Sequence, residues 1–357
     1  MIDFLIIGGG IAGLSAGARL SRHGTVTVLE AEDALGYHAS GRSAALFEQS
    51  YGPPSVVALN KAGAEYMRLE NGGYLTQRGL MLVAAMDQAD AFQNDRASLN
   101  MQSMSMDQAV SRVPILNPEA VGYVAISEAA FDIDTDRLLQ DFARTIRHNG
   151  GTVLSKRKVT RICKGPHWTV EAGQVFEARN LVNAAGAWVD EIASMAGIAP
   201  IGISPRRRSM ARLPAPGGHD VSNWPMMLGA GETWYAKPDA GKLLVSPSEA
   251  DPVPPHDAYA DDMILAEGIA RYEALVTEPV TRVETNWAGL RSFAPDGTLV
   301  LGPDPTEPSF IWCAGQGGYG FQTAPAASQL LADLVTGKAP AIDKDMISML
   351  TPNRLNR

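Results

Sequence analysis

Phe4-Leu5-Ile6-Ile7-Gly8-Gly9-Gly10-Ile11-Ala12-Gly13, almost at the start of the chain, decides the fold. Four apolar residues in a row fit a parallel strand buried on both faces. Three glycines then turn the chain into a segment whose small residues (Ala12, Gly13, Ala16, Gly17, Ala18) let a helix lie close to a sheet. Gly8-x-Gly10-x-x-Gly13 therefore stands in the strand–turn–helix context that a dinucleotide fingerprint requires. Gly8 permits the tight turn, Gly10 lets backbone approach a pyrophosphate, and Gly13 allows the helix to close on the strand. The first helical residues, Ile11 and Ala12, offer N–H groups to phosphate oxygens. Gly24 ends the helix, residues 25–29 form a second strand, and Glu30 closes it 17 residues after Gly13. A carboxylate there takes both hydroxyls of an adenosine ribose and repels a 2′-phosphate, which admits NAD and FAD and disfavours NADP.

Further along, residues 33–54 read as a loop rich in Gly, Ser and aromatic residues, and loops of that length inside compact domains are usually functional. Residues 74–127 read as strands and short helices. Asp134-Thr135 caps a helix carrying Leu138, Leu139, Phe142 and Ile146 near one face, stopped by Gly150-Gly151. Residues 152–154 and 180–182 fit strands returning to the first sheet, and 159–176 alternate as a hairpin layer would. From 201 to about 286 come strands around 208–213 and 233–245, proline-rich connections and a helix over 263–275. Residues 310–314 form a last strand before Gly315-Gln316-Gly317-Gly318-Tyr319-Gly320 and a helix with Pro325 in its first turn. That helix buries Leu330, Leu331, Leu334 and Val335 and stops at Gly337. The expected architecture is α/β: a discontinuous Rossmann-type domain (1–73, 128–203 and 287–357) interleaved with an α+β substrate domain (74–127 and 204–286).

Two features choose FAD over NAD. The stretch Asn183-Ala184-Ala185-Gly186-Ala187-Trp188 follows a late strand, as in flavoproteins whose chain returns to the dinucleotide. The Gly315–Gly320 turn opens a helix whose N-terminus can face the pyrimidine edge of an isoalloxazine and stabilise negative charge there. Bulk properties narrow the partners. A length of 357 residues, 45% hydrophobic and 19% charged, fits about two soluble domains. The net charge is −9 and no basic run exceeds Arg206-Arg207-Arg208, which argues against nucleic acid and against a polybasic membrane contact. Cys163 and Cys313 lie far apart and the six histidines are never at ligand spacing, so neither a disulfide framework nor a metal is expected. The N-terminus shows no signal peptide and no stretch reaches the ~20 apolar residues of a membrane span. A cytoplasmic location is the expectation.

Seven dispersed motifs, in order, resemble the FAD-dependent D-amino-acid oxidase superfamily over essentially the whole chain, most closely its bacterial D-arginine dehydrogenase group. They are Gly36-Tyr37-His38-Ala39-Ser40-Gly41-Arg42-Ser43-Ala44-Ala45, Ala130-Phe131-Asp132-Ile133-Asp134-Thr135-Asp136, residues 181–188, Pro205-Arg206-Arg207-Arg208-Ser209, residues 234–241, 287–293 and 316–322. The resemblance implies hydride transfer from a substrate α-carbon to flavin N5. A D-amino acid or related small amine becomes an imine that hydrolyses to a keto acid, and oxygen or a quinone takes the electrons. Arg208, Arg291 and Tyr235 match residues that hold the substrate carboxylate, a task suited to a planar guanidinium fork and a hydroxyl donor. Tyr51 matches a tyrosine over the active site, while Gly318 and Gln322 match positions beside flavin and substrate amine. Ser40, Arg42 and Ser43 match the loop against pyrophosphate and flavin. Val159, Ala185, Gly186, Trp188, Arg291, Gly317, Tyr319 and Gly320 complete the implied FAD contacts. The resemblance implies no covalent flavin link, because neither cysteine matches an attachment position.

From the residues alone, plainer roles stay open: a surface cation for Arg208, a buried structural pair for Arg291, a core position for Tyr235 and a solvated turn for residues 40–43. Where the arginine-oxidising relatives carry a histidine and a glutamate, this chain has Leu46 and Leu80, which favours apolar side chains. Glu48 reads either as an amine ligand or, slightly better, as a surface acid. Two other activities are consistent with the same residues: a 2-hydroxy-acid dehydrogenase, and a flavin-holding subunit that docks a partner protein.

Overall fold

The computed structural model describes residues 1–355; residues 356 and 357, assigned above to the cofactor domain, lie outside the described residues. The apolar strand Ile2–Ile7 pairs in parallel with Val26–Leu29 on one side and Val175–Asn183 on the other. Thr152–Leu154 and Phe310–Ala314 extend the parallel sheet outward on those two sides. Five parallel strands thus come from the beginning, middle and end of the chain. Both faces are covered, which is why these strands read as unbroken apolar runs. Helices Ile11–Leu20, Thr135–His148 and Gly320–Thr336 share one apolar core, while the hairpin strands Arg161–Lys164 and Trp168–Glu171 and helix Val189–Met195 share the other.

Local signals account for most element ends. Asp134 accepts the Arg137 N–H at 3.1 Å as an N-cap, and Gly337, at φ 70°, ends the last long helix. Gly17 brings its helix down on the sheet: a Cβ there would stand 2.8 Å from Ile146 and 3.1 Å from Ile6. One expectation needs correcting. The last long helix begins at Gly320, so Pro325 sits in its second turn rather than its first.

A second, eight-stranded sheet runs Thr285–Phe293, Ser204–Leu213, Lys242–Ser246, Tyr235–Asp239, Met226–Gly229, Leu80–Ala85, Val121–Ser127, Gln102–Ser103. Its first two strands pair along their whole length, with Arg206 opposite Arg291 and Arg208 opposite Gly289. The boundary expected at 287 falls within the first of these strands, so the chain passes from the second sheet to the first after Phe293. Because side chains alternate along a strand, Arg206, Arg208 and Met210 share one face with Trp287 and Arg291. The pairing of Tyr235 with Ser246 and Leu228, and of Met226 with Leu80, puts Tyr235 and Leu80 on that same face.

A small antiparallel sheet, Leu46–Glu48, Ala130–Ile133 and Leu75–Gln77, lies between the two large ones. Phe47 is buried in the cofactor-domain core, whereas its neighbour Leu46 and the cross-strand Ala130 pack against the second sheet. The period of two in a short strand joins the domains.

Candidate active site

At the carboxyl ends of the parallel strands lies a cleft of about 460 Å³, within the range of cofactor and ligand sites. Of the residues expected at the cofactor, Gly8, Gly10, Ile11, Ala12, Glu30, Ser40, Arg42, Val159, Ala185, Gly186, Trp188 and Gly317 line it. Gly13 stands behind the wall, where a Cβ would run into the carbonyl of Gly8, and a Cβ on Gly8 (φ 111°) would run into that of Ala184. Gly8 and Gly13 are therefore required by close backbone approach, whereas a Cβ on Gly10 would meet only the Ser40 hydroxyl, at 3.1 Å. Glu30 is 8% exposed; its Oε2 accepts the Gly9 N–H at 2.7 Å and its Oε1 the Glu32 N–H at 2.9 Å. Each oxygen keeps a lone pair on the cleft side, which suits two ribose hydroxyls. The helix from Gly320 has neither a side-chain N-cap nor an acidic residue in its first turn, so its positive end is uncompensated where Gln316 and Gly317 reach the cleft. These features fit an FAD.

Several residues do something more specific than a motif conveys. Ser40 Oγ accepts the Ile11 N–H at 3.0 Å, which takes one helix donor and leaves the serine hydroxyl proton to donate onward. Arg42 lines the cleft with its stem, but its guanidinium donates to the carbonyls of Tyr37, Ala258 (2.8 Å) and Ala288 (2.9 Å) and to Asp257. It ties the loop to the second sheet, and its hydrogen bond to Asp257, helped by its charge, holds that carboxyl below the usual range. Ser43 is exposed, lies outside the cleft and caps the Ala45 N–H at 3.2 Å. Arg157 and Lys158 line the cleft beside Glu30, whose carbonyl accepts the Arg157 N–H at 2.8 Å. No motif announced them. The signal was adjacency: residues 152–154 pair with 27–29, so the chain that follows must pass Glu30.

Beyond the Gly-rich turn, the expected substrate residues come together. A Cβ on Gly318 would stand 3.2 Å from the Arg291 guanidinium, and one on Gly317 2.7 Å from the Phe293 ring, so the glycines let this strand approach. Among the described residues, no protein group accepts a hydrogen bond from Arg291 and no carboxylate lies within 4.0 Å of either Arg291 or Arg208. Arg208 donates from Nε to the Glu249 carbonyl at 2.8 Å and lies 5.9 Å from the Tyr235 ring centre. Burial lowers its basicity, and the charge of Arg291 adds to that effect. Tyr51 packs at 5.5 Å from Tyr319 and donates to Glu232 Oε2 at 3.3 Å. Burial raises the Tyr51 phenol, while Arg291 and Arg208 both oppose that shift. Two guanidiniums and three tyrosines thus lie near one another.

Gln322 is buried, and its amide is spent on the neighbouring loop: Oε1 accepts the Glu48 N–H at 3.4 Å and Nε2 donates to the Tyr51 carbonyl at 3.3 Å. It braces the wall on which Tyr51 stands. Gly320 opens the helix against Ile11. Leu46 and Leu80 join one apolar cluster with Tyr51, Met210, Leu228 and Tyr235. Glu48 is not a surface acid. It is 4% exposed, accepts the Ser50 N–H at 3.0 Å and the Ser127 hydroxyl at 3.3 Å, and burial pushes its carboxyl above the ordinary range.

A glycine cradle with a buried acid at the end of the second strand, joined through the Gly317–Gly318 turn to two guanidiniums on a second sheet, is the arrangement of a dinucleotide-dependent oxidoreductase. The chain belongs to the FAD dependent oxidoreductase (DAO) family, whose model matches residues 3–334. It is an FAD-dependent enzyme of the D-amino-acid oxidase superfamily. Among its relatives is FAD-dependent oxidoreductase domain-containing protein 1 of Bos taurus, 26% identical over 93% of this chain and 81% of the relative. Glycine oxidase from Geobacillus kaustophilus superposes with a TM-score of 0.82 at 22% identity, covering 100% of this chain and 98% of that one. L-proline dehydrogenase from P. horikoshii gives 0.82 at 21% identity over 99% and 97%. Among the described residues no three His, Cys, Asp or Glu side chains gather as metal ligands, and no helix is long and apolar enough to cross a membrane.

Proposed function

We propose that this enzyme oxidises the Cα–N bond of a small amino acid, with D-amino acids bearing apolar side chains favoured, to an imine that hydrolyses to a keto acid. The observation that carries the reading is Arg208 and Arg291: two guanidiniums on one sheet face, with no carboxylate within 4.0 Å among the described residues, beside Tyr51 and Tyr235. Two like charges held together in a partly dry space cost free energy unless an anion joins them, and a substrate carboxylate is that anion. The glycine oxidase and L-proline dehydrogenase among the structural neighbours support an amino acid as the substrate class.

FAD supplies the hydride acceptor. The protein's part is to fix the carboxylate bidentately, so that the adjacent C–H bond meets the cofactor at one angle. Tyr51 and Tyr319 close the space against water. Leu46 and Leu80 supply the apolar wall for the side chain. Anaerobic mixing with D- and L-amino acids, N-methylglycine and 2-hydroxy acids tests the reading. Apolar D-amino acids should bleach the flavin, whereas bleaching by hydroxy acids alone would make this a 2-hydroxy-acid dehydrogenase.

The flavin is expected to be held without a covalent bond. Cys313 is buried against the fingerprint helix, its Sγ 3.6 Å from the Ala12 carbonyl, and burial pushes its thiol up to about 12, so the nucleophilic thiolate is scarce. Cys163 is exposed on the hairpin layer. Acid precipitation should leave all the yellow colour in the supernatant, and colour in the pellet would refute this.

A further inference from the structure

Lys237 lies two residues after Tyr235, on the same face of the second sheet, and is only 9% exposed. Its ammonium donates to the carbonyls of Ala44 and Ala45, each at 2.8 Å. It also forms an ion pair with Asp132 Oδ1 at 3.0 Å, off the hydrogen-bonding direction. Asp132 belongs to the small bridging sheet, and its Oδ2 takes both Nε (2.7 Å) and Nη2 (2.6 Å) of Arg78. The remaining Arg78 nitrogen donates to the carbonyls of Ser222 and Trp224. One lysine therefore joins the substrate sheet, the bridging sheet and the loop between them.

The two carbonyls are the informative part. In an extended strand successive carbonyls point to opposite sides. Here two consecutive ones accept from a single cation, so the ammonium holds a local departure from strand geometry in the irregular segment immediately before strand Leu46–Glu48. The Ala45 N–H faces away from it and is capped by Ser43 Oγ at 3.2 Å. This segment sits between Ser40, which borders the dinucleotide cleft, and Leu46, which enters the apolar cluster with Tyr235 and Leu80. A buried cation is costly unless it is well partnered. Spending one on two loop carbonyls makes sense where the loop conformation matters.

We propose that Lys237 is a positioning residue: by holding the carbonyls of Ala44 and Ala45 it sets where Leu46 stands over the substrate, without itself touching substrate or cofactor. The role in turnover rests on the function proposed above; the hold on the loop does not. Two arms on the FAD-loaded enzyme separate them. In the first, Lys237→Met should speed amide hydrogen exchange across residues 43–47 while strand Phe310–Ala314 stays protected. In the second, kcat/KM for the best amino acid should fall on the order of 100-fold, the penalty of an ångström-scale misplacement, with FAD content unchanged. Lys237→Arg, which keeps a cation and its N–H donors facing the Ala44 and Ala45 carbonyls, should recover most of that loss. Unchanged exchange in 43–47 would overturn the hold on the loop. Faster exchange with kcat/KM within a few-fold of wild type would overturn the positioning role. If Lys237→Met fails to fold, Lys237→Gln, which keeps an amide donor but neither the charge nor the reach, gives both readouts. If no amino acid reduces the wild-type flavin, the functional reading falls and the exchange arm alone decides the hold on the loop.

Discussion

Arg291→Met is expected to weaken substrate capture by tens- to thousands-fold while leaving the FAD in place. Losing one partner of a charge-assisted pair in a dry site costs roughly 2–5 kcal/mol. Substitution of a buried ion-pair partner usually strands the other charge and unfolds the protein. Arg291 strands nothing, because among the described residues no protein group accepts from it and no carboxylate lies within 4.0 Å of it, while the like-charged Arg208 lies close enough to repel it. Methionine keeps the apolar stem beside Phe293 and removes only the fork. The apparent substrate constant should therefore rise steeply with unchanged flavin content and melting temperature. Flavin loss or unfolding in this variant would make Arg291 a structural residue and remove half of the carboxylate site.

The second large effect concerns the side chain of the substrate. D-leucine and D-methionine should exceed D-arginine in kcat/KM. A guanidinium entering the cluster of Leu46, Leu80, Leu228 and Met210 loses its water without gaining acceptors, a penalty of several kcal/mol. An aliphatic or thioether chain gains about 0.8 kcal/mol for each CH₂ it buries. Both terms act in the same direction, so the preference inverts rather than fades. The residue that opposes this outcome is Glu48, whose carboxylate lies buried behind Leu46 with two hydrogen-bond donors and no cation. If D-arginine matches the apolar pair in steady-state comparison, the leucine pocket is wrong and Glu48→Gln becomes the variant to examine.

What the sequence made legible, and what it hid, follows from the range of the interactions. The Ile2–Ile7 strand, its glycine turn, the acid at Glu30 and the Asp134 cap all rest on neighbours within a few residues or on one repeated period, and all are present in the structure. The start of the last helix was harder, since Tyr319 and Gly320 carry no side-chain cap to mark it. Arg42 shows the opposite case. Its acceptors at Asp257, Ala258 and Ala288 lie more than two hundred residues away, so nothing local distinguished a cleft-facing guanidinium from one that ties loop to sheet. The burial of Glu48 was hidden for a similar reason: it depends on Ser127 and on the second sheet arriving over a short strand. Arg208 and Arg291 fell between these cases. Their residue type was informative, but only the register of two strands, with Arg206 opposite Arg291, shows that they share a face.

An amino acid held by Arg208 and Arg291 is expected to surrender its α-hydrogen and two electrons to FAD. An anaerobic titration of the purified holoenzyme with D-leucine, followed by keto acid and ammonia analysis, tests it most directly. The flavin should bleach fully, with one keto acid and one ammonia formed for each flavin reduced. A flavin that stays oxidised with every amino acid offered, or that bleaches with a 2-hydroxy acid and releases no ammonia, would contradict the account.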